Sequence, residues 1–154
     1  MSVQITTYNP LLKKAFRDLN VEWISKYFVM EESDYKALDN PEDYIINKGG
    51  EILFAIENNI VLGVCALIKM TDPEFDYEMA KMAVSPEAQG KKIGQLLGES
   101  IIDKAKELGG KNLYLESNTA LIPAISLYYK LGFIKLENRM SPYKRSDIQM
   151  AIYF

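Results

Sequence analysis

Between Met82 and Gly98 the chain passes from an apolar run, Met82-Ala83-Val84, through Ser85-Pro86 into Gln89-Gly90-Lys91-Lys92-Ile93-Gly94, and from there into a long helical pattern. A strand that stops and feeds a helix through small residues leaves backbone N–H groups at the positive end of the helix dipole. Such an end suits a phosphate. Gly90 and Gly94 let an anion come close to the backbone, while Gln89, Lys91 and Lys92 add donors or charge. The run is neither a Gly-Lys-Ser/Thr phosphate loop nor a Gly-x-Gly-x-x-Gly dinucleotide turn. It also reads as an ordinary connection with its lysines in solvent.

The rest of the inventory narrows the chemistry. The 154 residues include no histidine and one cysteine. That excludes His-based triads and bases, disulfide frameworks and His or Cys metal sites within one chain. Cys65 lies in the apolar run VLGVCALI and reads as a buried, inert thiol. Catalysis therefore falls to Glu, Asp, Tyr, Lys, Ser or backbone groups, and no metal is expected. Residues 1–77 carry a net charge of −6 and residues 78–154 a net of +3. An anionic ligand is thus expected on the C-terminal half. The imbalance is too mild for a nucleic-acid binder. No apolar run approaches a bilayer span, and the start MSVQITTYNP lacks the regions of a signal peptide, so a soluble cytoplasmic protein is expected.

The elements that must carry these residues follow from periodicity and punctuation. SVQITTYN reads as a first strand. Asn9-Pro10 starts a helix running to about residue 29, with Leu12, Phe16, Leu19 and Trp23 at helical spacing. Ser33 is a candidate cap for a short helix, and Asn40-Pro41 repeats the start signal before Gly49-Gly50. EILFAIE, Asn58-Asn59 and IVLGVCALIKM form a hairpin, which FDYEMAKMAV extends as a further strand. Residues 91–108 are the strongest helix, stopped by Gly109-Gly110. KNLYLES is a strand, Pro123 opens a helix ended by Gly132, and FIKLE and DIQMAIYF close the chain as a strand pair. The expectation is one α+β domain over residues 1–154, with a mostly antiparallel mixed sheet of about seven strands flanked by helices.

Two motifs taken together are more specific than either alone. MAVSPEAQGKKIG, with Gln89, Ile93 and Gly94 in register, is followed 29 residues after Gln89 by Asn118, Ala124, Tyr128, Gly132 and Phe133. The pair resembles the GNAT family of acetyl-CoA-dependent N-acetyltransferases, over about residues 50–137. The family's usual middle glycine is Lys92 here. A backbone N–H survives that change, and phosphate contact with it, provided the local φ is negative.

The resemblance implies a splayed strand pair, with the strand ending at Val84 parting from LYLES. The backbone of Met82, Ala83 and Val84 would then pair with the pantetheine arm, and the amides from Gln89 to Gln95 would hold the diphosphate, with Gly90, Lys91, Lys92 and Gly94 between them. Asn118 would hydrogen-bond the cofactor or the backbone near the thioester; it reads equally as a helix cap. Tyr128 would protonate the departing sulfur, since a phenol with pKa of about 10 outlasts a thiol near ~8.5. Glu78 is the candidate base for the amine, and strand alternation is expected to put it on one face with Val84. It reads otherwise as a solvent-facing charge.

For the acceptor, Glu22, Trp23, Tyr27, Tyr143, Lys144 and Arg145 fall in segments that would build the pocket. Acidic residues 31–43 would favour a cation, whereas Arg145 would hold a substrate carboxylate. The expected partner is a small-molecule amine, with neither nucleic acid nor membrane, and with a homodimer allowed for. The function expected is N-acetyl transfer in a ternary complex. A catalytically silent CoA-binding module and a nucleotide-type anion binder are the alternatives.

Overall fold

The computed structural model of the chain describes residues 2–137, 139, 141 and 144–154. Asn9 accepts a hydrogen bond from the Leu11 amide, as a cap should, but the turn it starts, Pro10–Leu12, is 3-10 in form. The first α-helix, α1, begins only at Lys13 and ends at Tyr27. The second, α2 (Glu32–Asp39), is capped by Glu31 rather than Ser33. Glu31 and Asp34 satisfy each other's backbone amides in a capping box, which outcompetes a lone serine. The Asn40-Pro41 signal yields a single wide helical turn, Glu42–Ile46.

Among the described residues seven strands follow the expected order: β1 (Gln4–Thr7), β2 (Glu51–Glu57), β3 (Ile60–Lys69), β4 (Tyr77–Val84), β5 (Asn112–Ser117), β6 (Ile134–Lys135) and β7 (Ile148–Tyr153). Asn58 and Asn59, at φ 53° and 64°, make the β2–β3 connection. Asparagine tolerates that left-handed geometry, which suits a two-residue hairpin. The sheet order is β1-β2-β3-β4-β5-β7-β6. All neighbours are antiparallel except β4 and β5, which the crossover through α3 (Ile93–Glu107) makes parallel.

Apolar side chains cover both faces of the sheet. On one face α3 buries Leu97 and Ile101 against Leu67, Leu113 and Met150. On the other, α1 and α2 bury Phe16, Ile24 and Leu38 against Phe54 and Val64. The fourth helix, α4 (Ile122–Leu131), lies against α3 where Gly98 makes room for Leu131: a Cβ there would stand 2.5 Å from the Leu131 Cδ1. The helix that carries Tyr128 is thereby set close to the helix that begins at the glycine-rich loop.

Candidate active site

At the start of α3 the backbone presents a row of unspent donors. The Gln89 and Lys91 amides are committed to the preceding turn, donating to Pro86 and Ala88 carbonyls at 3.4 and 3.3 Å. The amides of Gly90, Lys92, Ile93, Gly94 and Gln95 have no acceptor among the described residues, and the helix ladder resumes only with Leu96 donating to the Lys92 carbonyl at 3.1 Å. Lys92 sits at φ 59°, so the negative φ on which its phosphate contact was conditional is not met, although its amide is left without an acceptor among the described residues. The turn into α3 needs a left-handed residue there, and lysine adopts a shape that glycine adopts at less cost. Gly90 is left-handed too, at φ 87°. The Lys91 ammonium lies 3.4 Å from Glu57, and the Gln95 side chain accepts from Lys130 on α4 at 3.0 Å. A 400 Å³ cavity opens over this loop between Val84, Gly90, Gly94 and Lys130.

The splay is present. β4 and β5 pair at one point only, Glu78 opposite Tyr114, and beyond it the ladder stops. Ser85 donates to the Leu62 carbonyl at 2.8 Å, so alternation turns the N–H and C=O of Val84, and of Met82 before it, toward the open side. Within β4 the register shifts by one residue, with Lys81 at φ 55°. This bulge overturns the expectation that Glu78 and Val84 share a face. Met82 and Val84 pack against the α3 core, Ala83 joins the α1 core, and Glu78 lies on the side of Tyr114 and Glu116.

A 290 Å³ cavity runs through the gap. Gln89, Gly94, Leu127 and Tyr128 line it on the α3 side, and Trp23, Ile24, Phe28 and Glu78 on the α1 side. Tyr128 is partly buried, its ring edge-on to Phe133 at 6.1 Å between centroids. Burial, and the Cys65 side chain nearby, push its phenol above the ordinary range; a hydrogen bond with Ser117 pulls the other way. It therefore keeps its proton at neutral pH. Cys65 is fully buried, and burial raises its thiol as well, so it is no nucleophile. Asn118 reaches the cavity wall, but its amide spans the chain itself, donating to the Arg145 carbonyl at 2.7 Å and accepting from the Ala120 amide at 2.8 Å.

Glu78 accepts no hydrogen bond from a described residue. Burial, with the Glu116 carboxylate next in weight, pushes its carboxyl up to about 7, against the pull of Lys81 and Arg139. Nothing in local periodicity pointed to Glu116, although a charge two residues before Asn118, at the end of a buried strand, was the available signal. It also lines the cavity.

The acceptor side departs from expectation at Arg145. Its guanidinium makes two hydrogen bonds to Asp34, at 2.6 and 2.7 Å, and a third to Glu31 at 3.1 Å. Lys81 reaches the same Asp34 at 2.6 Å, with 5% of its side chain exposed and none of Asp34's. Asp34 and Glu31 are thus neutralised within the chain, as are Asp39 by Arg17 and Glu42 by Lys13. Arg145 is therefore bound to acids of its own chain rather than open to a substrate carboxylate, and of the acidic residues in 31–43 Glu31, Asp34, Asp39 and Glu42 have basic partners. Of the other acceptor candidates, Trp23 lines the cavity with its ring tilted against that of Tyr27, 5.3 Å between centroids, while Glu22 and Lys144 are exposed. Tyr143 lies outside the described residues. Among those described, no group of three or more metal-ligating side chains occurs, and no helix is long and apolar enough to cross a membrane.

Residues 16–133 match the acetyltransferase (GNAT) family. The chain belongs to that family. An uncharacterized N-acetyltransferase of Escherichia coli, YjgM, is 28% identical over 130 residues, covering 81% of this chain and 75% of that protein. A Schizosaccharomyces pombe N-acetyltransferase is 36% identical over 76 residues, 49% of this chain, which spans only 44% of its length. The N-alpha-acetyltransferase RimI of Mycobacterium tuberculosis is 35% identical over 74 residues, covering 48% of this chain and 45% of that protein. Among solved structures, a GNAT acetyltransferase of Staphylococcus aureus Mu50 shares the fold with TM-score 0.87 at 22% identity, over 99% of both chains. YncA of Salmonella typhimurium, solved with acetyl-CoA, does so with TM-score 0.78 at 18% identity, over 99% of this chain and 94% of that one. The GNAT fold expected from the paired motifs is the fold found.

Proposed function

We propose that the chain moves an acetyl group from acetyl-CoA to the primary amine of a small molecule, both bound at once in the cavity between β4 and β5. One observation carries the reading: the cavity lined by Glu78 and Tyr128 reaches Gly94, where it adjoins the cavity over the open amides of α3, the two sharing Val84, Gln89, Gly94 and Leu127. The fit to CoA rests on this chain's donors. The amides of Gly90, Lys92, Ile93, Gly94 and Gln95 would take the diphosphate, with Gln89, Lys91 and Lys92 side chains at its rim. The backbone of Met82, Ala83 and Val84 would hold the pantetheine arm as an added strand. Asn118 would fix the wall beside it through its own chain contacts. When bound, acetyl-CoA supplies an activated acyl thioester.

The residues then divide the proton work. An alkyl ammonium, with pKa near ~10.4, must lose a proton before it can attack. Glu78, lining the cavity and pushed up to about 7 chiefly by burial, accepts that proton. Tyr128, kept protonated by burial, gives one to the departing sulfur. An N–H of Met82 or Val84, both turned toward the gap, would stabilise the negative charge that develops on the acyl oxygen.

Acetylation of a protein N-terminus is the second reading, suggested by the likeness to RimI. Thiol release from acetyl-CoA, measured across a panel of small amines and N-terminal peptides, tests both. Turnover with a small amine supports the first reading, turnover with peptides alone supports the second, and tight CoA binding with no turnover would make the chain a binding module.

A further inference from the structure

Glu116 is the second carboxylate of the cavity, and the fold takes trouble over it. It stands on β5 two residues beyond Tyr114, which is the residue opposite Glu78 at the single pairing point. Tyr114 donates to its Oε2 at 2.9 Å, and Ser141 donates to its Oε1. Tyr114 is itself clamped, stacked on Phe75 at 5.2 Å with the Arg139 guanidinium 4.5 Å from its ring centroid. Arg139 is in turn held by Asp72 and Glu74. A side chain fixed at both oxygens, lining the same cavity as another carboxylate, is placed for its charge.

We propose that Glu116 is a positioning residue that acts through Glu78, its fixed negative charge keeping the neighbouring carboxylate basic enough to take a proton from the acceptor ammonium. The inference rests on the reading of Glu78 as the base. Burial raises the Glu78 carboxyl first, and the Glu116 charge adds to that rise, bringing the base closer to the ammonium it is to deprotonate. Two like charges at one cavity resist ionising together, which raises the affinity of the open member for a proton. The other charges facing Glu78 are Lys81 on its own strand and Arg139 from the β6–β7 connection, and both act in the opposite direction. Asp34 and Arg145 lie behind Lys81 as a mutually neutralised pair. The lining residues of α1, Asn20, Trp23 and Ile24, are all uncharged, and α4 offers Tyr128 as a neutral phenol. Glu116 is thus the group among these that pushes Glu78 upward by charge.

The test titrates the Glu78 carboxyl directly, by isotope-edited carboxyl NMR on glutamate-labelled protein, with Glu78→Gln giving the assignment. The wild-type midpoint is expected near 7. In Glu116→Gln it should fall by about one pH unit, and in Glu116→Asp, which keeps the charge, it should stay near the wild-type value. In the unmutated protein the Glu116 resonance should show a reciprocal inflection at the Glu78 midpoint, a readout that needs no variant to fold. A Glu78 midpoint unmoved in Glu116→Gln, or no inflection in Glu116, would overturn the proposal. If the coupling is found but Glu78→Gln retains full turnover, the reading of Glu78 as base fails while the Glu116–Glu78 coupling stands.

Discussion

Tyr128 and Glu78 approach one cavity from opposite faces of the sheet, so the two proton transfers are assigned to residues whose environments differ. Tyr128→Phe removes the donor with little change of shape. It should lower kcat on the order of 100-fold while leaving CoA affinity nearly unchanged by calorimetry. Glu78→Gln should remove the acidic limb of the kcat/KM profile, whose wild-type midpoint is expected near 7. The same shift acts on stability. The folded Glu78 binds its proton more tightly than the unfolded chain does, so stability is greatest below the ordinary glutamate value of 4.5 and falls as pH rises from there through about 7. At pH 8, therefore, Glu78→Gln should raise stability by roughly 2–3 kcal/mol in urea titrations even as it stops turnover. Tyr128 was legible in the sequence because Ala124 and Gly132-Phe133 fixed its register. Glu78 was legible as a type at a position, but its face was not. Alternation assumes an unbroken strand, and the bulge at Lys81 has no sequence mark, since a lysine at positive φ looks like any other lysine.

At the scale of elements, the start of α3 decides whether an anion is held. The glycine-rich run, the strand before it and the helix after it could all be read from punctuation and periodicity. Which amides remain free could not, because that depends on Pro86–Ala88 closing a 3-10 turn that uses two of them. Gly94 faces Leu127, where a Cβ would come within 3.2 Å of the Leu127 Cδ2. Gly94→Asp adds that crowding to a negative charge beside the open amides, and should weaken CoA binding at least about tenfold by calorimetry, or roughly 1.4 kcal/mol. Lys92→Gly tests the backbone separately. Relieving the left-handed lysine should raise stability by about 1 kcal/mol, read as a higher melting temperature, with CoA affinity maintained.

At the scale of the molecule, the two faces of the sheet do different work, and a buried charge cluster joins them to the far loop. Asp34 of α2 holds Lys81 at the bulge and Arg145 before β7, residues 47 and 111 positions away along the chain. No local pattern links such distant charges, which is why Arg145 was open to reading as a substrate ligand. Burial alone would lift the Asp34 carboxyl, but hydrogen bonds from Arg145 and Lys81 outweigh it and hold the group at about 2. Its contribution to stability is therefore complete above the ordinary value of 3.8 and is lost as pH falls from there through about 2. Asp34→Ala leaves Lys81 buried without its acid and should cost about 3–5 kcal/mol in chemical denaturation at neutral pH. The central claim concerns the gap that this framework holds open. A crystal structure of the protein with CoA tests it most directly. The diphosphate is expected on the amides of Gly90 and Lys92 to Gln95, the pantetheine along Met82–Val84, and the sulfur within reach of the Tyr128 hydroxyl. CoA bound on another surface, with the gap between β4 and β5 left empty, would contradict it.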